Sequence, residues 1–311
     1  MFFQYLHELW KSLIRRKVRV FIHEQEYELS DDRSGNFSII TYNIAGLPQV
    51  ISAAKTNRST SIATIGMLCN DFDIVHIQED FNYNTYLYQG GNSHPYRTIS
   101  MGLAIFGDGL DSLSRYPITN FKRIEWQNRT GSDRLTPKGF SHCTVHLGLG
   151  VEVDFYNIHA NSQDHPRAAK ARRANYLQLA TYINKFSVGK AIIVAGDFNS
   201  HFSFSEDNLV EFMDKTKLED CWITLQRDHV IPIIDPLFLC VDIMDINNES
   251  ESIDKVMFRS NDKLTLIPKV YEVEKEKFFD QYGEPLSDHW PISVVFDWKL
   301  NDEVEIDIFP K

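Results

Sequence analysis

The run AIIVAGDFN, residues 191–199, is apolar at every position from Ala191 to Ala195 and then stops on Asp197 and Asn199. Only a strand with both faces buried suits such a run, so the chain must build a sheet covered on two sides. FSIITYNIAG (37–46), FDIVHIQED (72–80), VEVDFYNIHA (151–160), SIDKVMF (252–258) and PISVVFDW (291–298) are similarly rich in β-branched and aromatic residues. Between them, STSIATIGMLC carries Ile62, Ile65 and Leu68 on one helical stripe. The segment after Pro166 places Tyr176, Leu179, Ile183 and Phe186 at spacings of three and four. Strands alternating with helices predict an α/β (α+β) architecture, sheets flanked by helices.

With 311 residues, 43% of them hydrophobic, the chain can bury a large core, and with no internal repeat one compact domain is expected. The expected boundaries are a domain over 35–300, an N-terminal extension over 1–34 and a tail over 301–311. The extension, MFFQYLHELWKSLIRRKVRVF, places Phe2, Leu6, Leu9, Trp10 and Leu13 at helical spacing ahead of Lys11, Arg15, Arg16 and Lys17. A helix packed on the domain and an interfacial amphipathic helix both fit it. Its charges follow rather than precede its apolar residues, and no run of 18 apolar residues occurs, so neither a secretory signal nor a membrane span is expected. Cys69, Cys143, Cys221 and Cys240 lie far apart without metal spacing and are expected to be reduced core residues, as in a cytoplasmic or peripheral membrane protein. The net charge of −11 opposes binding to polyanions such as nucleic acid.

The strand-like runs share one habit: they end on polar residues. Asn43 closes the first, Gln78 and Glu79 the second, His159 and Asn161 the third, Asp197 and Asn199 the fourth. Asp254 lies within the fifth, and Asp288–His289 precede the last. Open sheets build sites at strand ends, and an antiparallel last strand would bring its beginning to the same place. Carboxylates, amides and two histidines without a thiol make an oxygen-rich site for a hard divalent ion, Mg²⁺ above all, and this chemistry is phosphoester hydrolysis. Alone, Glu79 also reads as a solvated strand end, Asn43 as a turn former and His159 as a core imidazole. Such residues closing successive strands in order are not explained by turn chemistry.

In sequence order, TYNIAGL, QED, YNIHAN, GDFNS, SIDK and LSDHWPI resemble the motifs of the endonuclease/exonuclease/phosphatase superfamily, over about residues 37–299. The resemblance implies the deoxyribonuclease I-like fold, a two-sheet β-sandwich flanked by helices, and a Mg²⁺-dependent phosphodiesterase in which Mn²⁺ can substitute. It makes Glu79 the main metal ligand, Asn43 its neighbour at the metal and Asp288 a further metal-side carboxylate. Asp197 activates or orients the attacking water, and Asn199 holds a phosphate oxygen. His289, oriented by Asp254, contacts the scissile phosphate or acts as base. His159 stabilises the phosphorane or protonates the leaving oxygen.

DRLTPKGFSHCTV (133–145) resembles the Lys-Gly segment of sphingomyelinases, and YNIHAN their histidine-bearing strand end, which implies a phospholipid or sphingolipid substrate, Lys138 at the head-group phosphate and Asn161 beside it. Lys138 reads equally as an exposed turn lysine. A nuclease, a phosphoinositide phosphatase and a catalytically inactive binding module are the alternatives, the last requiring loss of a site residue that this chain keeps. IPIIDPLFLCV (231–241) is expected to be a core strand or packed loop rather than an exposed membrane-dipping loop. Arg167, Lys170, Arg172 and Arg173 suit either an anionic groove or a solvated helix face.

Overall fold

The computed structural model describes residues 28–98, 107–235 and 242–301. The expected N-terminal helix and C-terminal tail, and Cys240, lie outside them. The described residues form two six-stranded sheets. The first is ordered β11 (Leu264–Val273), β12 (Ile292–Leu300), β1 (Ser34–Asn43), β2 (Ile74–Gln78), β4 (Asp111–Ser114), β3 (Tyr96–Arg97). The second is ordered β5 (Ile118–Glu125), β6 (Gly139–Gly148), β7 (Val151–His159), β8 (Ala191–Asp197), β10 (Asp254–Arg259), β9 (Glu219–Asp220).

Alternation along β1 shows why the sheets stack. Phe37 and Ile39 face the second sheet; Phe37 meets Phe155 of that sheet edge-on at 6.0 Å and stacks at 5.3 Å on Phe296, its neighbour on β12. Ile40 and Tyr42 point the other way, into a separate cluster with Ile62 and Ile65 of α1 (Arg58–Leu68) and Leu87 of α2 (Asn84–Gln89). α1 starts where the Asn57 side chain accepts the Thr60 N–H at 3.1 Å. On the second sheet, α3 (Pro166–Phe186) buries Tyr176, Leu179 and Ile183, and α4 (Leu209–Thr216) and α5 (Cys221–Gln226) follow β8 and β9. α3 begins with Pro166 after His165, whose Nδ1 accepts the Ala168 N–H at 3.1 Å. Cys69, Cys143 and Cys221 are free and buried.

Pairing fixes where the strand ends meet. β1 runs parallel to β2 and antiparallel to β12, with Asn43 opposite Gln78 and Thr41 opposite Ile292. β7 and β8 are parallel and β10 is antiparallel to β8, so Asp197 has His159 on one side and Asp254 on the other. Asp254 therefore opens its strand rather than lying within it. Between the sheets, just below these ends, Gln78 Nε2 donates to Asn157 Oδ1 at 2.8 Å, and Asn157 Nδ2 donates to the carbonyls of Ile77 and Asp111.

Two expectations need correction, and one strand is unforeseen. Residues 231–235 form neither strand nor packed loop; Ile233 is 87% exposed and Ile234 53%. Arg172 is no solvated helix residue: it is buried and paired with Asp207 at 2.9 Å, while Arg173 reaches Glu206 at the surface. β11 answers to none of the runs read as strands, because it shows one face to solvent and breaks register between Pro268 and Val270.

Candidate active site

The ends of β1, β2, β7 and β8 meet the start of β10 and the turn before β12, and Asn43, Glu79, His159, Asp197, Asp254 and His289 line one pocket there through mutual contacts, whereas Gln78 turns between the sheets and the Asn161 and Asn199 amides bond loop carbonyls. The backbone is strained at that pocket. Ala45, Glu79 and Asn199, each just past a strand end, have φ of 46°, 63° and 51°. Left-handed backbone at Glu79 carries no side-chain compensation and marks a position held by its surroundings. Gly46 is one of those surroundings: a Cβ there would lie 2.2 Å from the Glu79 carbonyl oxygen.

Asp197 is central. Its Oδ1 accepts the Asn199 N–H at 2.8 Å and its Oδ2 accepts Asn43 Nδ2 at 3.1 Å. Burial and the neighbouring Asp254 raise its pKa to about 7 against the pull of His289 and Lys138. His289 Nδ1 lies 2.8 Å from Asp254 Oδ2. Burial pulls His289 down, but Asp254, with Asp197 and Asp288 beyond it, outweighs burial and lifts it to about 10. Such surroundings favour an imidazolium that donates from Nδ1 to Asp254, and its Nε2 lies 3.5 Å from Asn43 Nδ2. Both members are buried, at 8% and 2% exposure.

The second histidine has the opposite charge state. Burial, then Lys138 and His289, hold His159 well below the usual imidazole range. Lys138 Nζ sits 2.9 Å from His159 Nε2 and 2.8 Å from Asp133 Oδ1. An ammonium donor on Nε2 places the ring proton on Nδ1. Lys138 is therefore buried, not an exposed turn residue, and it faces the same pocket. Asp133 is a residue that sequence reasoning missed; it orients Lys138 and accepts Ser162 N–H at 2.6 Å, joining the two loops. Its position five residues ahead of Lys138 in DRLTPK is the only signal it leaves in the sequence. Asn161 is committed elsewhere: its Oδ1 accepts Thr130 N–H and its Nδ2 donates to the Ser162 carbonyl, so it shapes the loop wall.

Glu79, Asn199 and Asp288 are half-buried and form the open side of the pocket. Burial and Asp288 raise the Glu79 pKa while Lys138, His289 and Asn43 oppose the rise, and its Oε1 lies 3.8 Å from His159 Nε2. Among the described residues, the groups whose ligand atoms lie within 4.8 Å of one another are Asp197, Asp254 and His289. This differs from the expected set of Asn43, Glu79 and Asp288. His289 Nδ1 is already taken by Asp254, so the oxygen donors that could hold a divalent cation are the Glu79 and Asp288 carboxylates and the Asn43 amide oxygen.

The fold and this strand-end pocket define a deoxyribonuclease I-like protein. The model of endonuclease/exonuclease/phosphatase family 2 matches residues 40–230, and the chain belongs to that family. It is 35% identical over 274 residues to a sphingomyelinase of Mycobacterium tuberculosis, covering 86% of this chain and 54% of the relative. The chain thus spans about half the length of that relative. Staphylococcus aureus beta toxin, crystallised with bound magnesium ions, superposes with a TM-score of 0.60 at 16% identity over 84% of this chain and 99% of the toxin. Truncated TDP2 from Caenorhabditis elegans reaches 0.58 at 15% identity over 84% and 97%. At such identities the two structures bear on the fold alone.

Proposed function

We propose that this protein is a Mg²⁺-dependent phosphodiesterase that hydrolyses the head-group phosphodiester of a phospholipid or sphingolipid. The observation that carries the reading is the grouping of two histidines about Asp197 in one pocket, His159 Nε2 at 3.4 Å from its Oδ2 and His289 held by Asp254 at 2.8 Å, in surroundings that push the two imidazoles in opposite directions, His289 up and His159 down. Groups with pKa values pushed apart in one site are how a fold separates charge stabilisation from proton transfer. Glu79 and Asp288, with the Asn43 amide oxygen, would hold the ion, which neutralises phosphate charge when bound.

The chain's own residues supply the rest. Asp197, its carboxylate fixed by Asn43 and the Asn199 N–H, orients the attacking water and takes its proton. Held as an imidazolium, His289 donates its Nε2–H to a non-bridging phosphate oxygen, a role that fits its charge state better than that of base. Lys138 and His159 face the leaving side, where alkoxide charge develops. The half-buried Asn199 amide, whose Nδ2 makes a long 3.3 Å bond to the Ala160 carbonyl, would turn to bind a phosphate oxygen.

Two features support a lipid substrate. The relatives at 35% identity are sphingomyelinases. In addition, exposed aliphatic side chains lie on segments that connect to site residues: Val50 and Ile51 on the segment leaving Asn43, Leu135 three residues before Lys138, and Ile231, Ile233 and Ile234 on a loop whose Asp235 N–H binds the Ser203 carbonyl. A net charge of −11 with such tips suits an uncharged lipid surface better than a polyanion. No helix among the described residues is long and apolar enough to cross a membrane.

The deciding assay measures Mg²⁺-dependent turnover of sphingomyelin, phosphatidylcholine, phosphoinositides and plasmid DNA in parallel, with His289→Ala as blank. Lipid turnover abolished by chelator, and reduced at least ~100-fold by Glu79→Gln, is expected. Rapid plasmid cleavage at physiological salt with every lipid untouched replaces this reading by a nuclease.

A further inference from the structure

Arg58, the first residue of α1, is fully buried, yet it lies outside every motif considered so far. Its Nη2 donates to the Leu286 carbonyl at 2.6 Å and to the Ile44 carbonyl at 3.2 Å, and its Nη1 donates to Thr56 Oγ1 at 3.1 Å. No ion pair joins it to a carboxylate among the described residues. Burial lowers its pKa first, with Tyr42 and Asp288 partly restoring it. A buried cation bound only to neutral oxygens, with its Nε left without a partner, is costly, and an apolar side chain of similar length would fill the same space at less cost. Packing therefore does not account for an arginine here.

The two carbonyls identify what the guanidinium does. Ile44 follows Asn43 at the end of β1, and Leu286 precedes Ser287, Asp288 and His289 ahead of β12. The same joint is closed from its other side by Ser287 Oγ, which donates to the Asn43 carbonyl at 2.7 Å. The main-chain ladder between β1 and β12 stops at Thr41 opposite Ile292, so beyond it the two segments are held by side chains. One nitrogen, Nη2, reaches both carbonyls while Nη1 is held by Thr56 Oγ1, which fixes the guanidinium plane; a lysine ammonium ends one bond nearer the backbone and has no such second arm.

We infer that Arg58 is a positioning residue for hydrolysis: it clamps the Asn43 end of β1 to the turn bearing Asp288 and His289, fixing the distance between the phosphate-contacting imidazolium and the amide that orients Asp197. This rests on the proposed phosphodiesterase reading for its kinetic consequence but not for its structural one. Displacements of about an ångström at a reacting centre lower turnover far more than they lower binding.

The test compares Arg58→Met, Arg58→Lys and Arg58→Ala with Arg259→Met, a control at the far end of β10 whose guanidinium also donates to carbonyls, those of Ser187, Lys190 and Thr216. Two readouts are taken: turnover of mixed sphingomyelin–phosphatidylcholine vesicles, and the downfield proton NMR signal of His289 Nδ1–H shared with Asp254. Arg58→Met is expected to keep a cooperative melt, lose ~10-fold or more in kcat with KM within ~3-fold, and shift or broaden the His289 signal. Arg58→Lys should recover little, whereas millimolar methylguanidinium should restore kcat several-fold to Arg58→Ala. Arg259→Met should melt earlier and keep both kcat per folded molecule and the NMR signal. The inference is overturned if Arg58→Met retains wild-type kcat and an unmoved signal, if Arg58→Lys is fully active, or if none of the three Arg58 variants folds. Should the wild type turn over no phosphodiester at all, the proposed reaction fails, and the NMR comparison still decides the clamp.

Discussion

At the scale of single residues, the site depends on neighbours that fix charge states. Asp254 has one carboxylate oxygen on His289, and its other, Oδ1, is buried without a partner among the described residues. A carboxylate left half satisfied is held there for its partner rather than for the core. His289→Ala and Asp254→Asn should therefore each lower kcat strongly, and the double variant should be little worse than the worse single, because residues acting as one unit are non-additive. Kinetics of the four proteins check this, with thermal melts alongside, since both side chains are buried. Losses that multiply instead would show the two acting independently.

Most of this residue-level site is legible in the sequence, because polar residues that interrupt apolar strands have few structural explanations. Asn43, Glu79, His159, Asp197, Asn199, Asp254, Asp288 and His289 converge as that logic requires. What escapes is whatever acts through a non-local partner. Lys138 looks like a turn lysine until His159 and Asp133 surround it. Arg58 looks like an ordinary first-turn residue of a helix, and Asn161 looks like a site residue although its amide is taken up by loop backbone.

At the scale of elements, the strands with two buried faces are the ones the sequence announces, within a few residues at each end. β11 is hidden because its alternation is broken at Pro268, and residues 231–235 mislead because an apolar run reads as buried wherever it lies. The joint between β1 and β2 shows how elements set the site. Gly46 packs against the Glu79 carbonyl so closely that Gly46→Ala must displace the end of β2, since a Cβ and that oxygen would be 2.2 Å apart. Overpacking of this kind costs ~1–3 kcal/mol. The variant should melt several degrees earlier and, because Glu79 itself moves, require more divalent ion for half-maximal turnover. A metal titration of activity checks the second effect; an unchanged titration with a lowered melt would show that Glu79 is not the ligand.

At the scale of the molecule, strand β7 joins two poles. His159 ends it in the pocket, while Asp154, five residues earlier and so roughly 16 Å away at strand rise, sits in a buried polar cluster at the other end. Burial alone would raise Asp154, but hydrogen bonds from His142, Ser187, Lys190 and Thr144 prevail and bring it down to about 2. Thr144 Oγ1 and Lys190 Nζ reach its Oδ1 at 2.8 and 3.0 Å, and Ser187 Oγ and His142 Nε2 approach Oδ2 at 2.5 and 3.2 Å. A carboxyl whose folded pKa lies below its unfolded value of ~3.9 binds fewer protons when folded, so its stabilisation is full above that value and disappears as pH falls through about 2. The shift corresponds to ~2–3 kcal/mol at neutral pH. Asp154→Asn should lower the melting temperature at pH 7 and converge on the wild type as the medium approaches pH 2, while kcat per folded molecule stays unchanged because no atom of the pocket is touched. Melting curves over that range, with turnover measured below the transition, check both halves. A kcat that fell with the melting temperature would mean that strain at the far end of β7 reaches His159, and the two poles would not be separable.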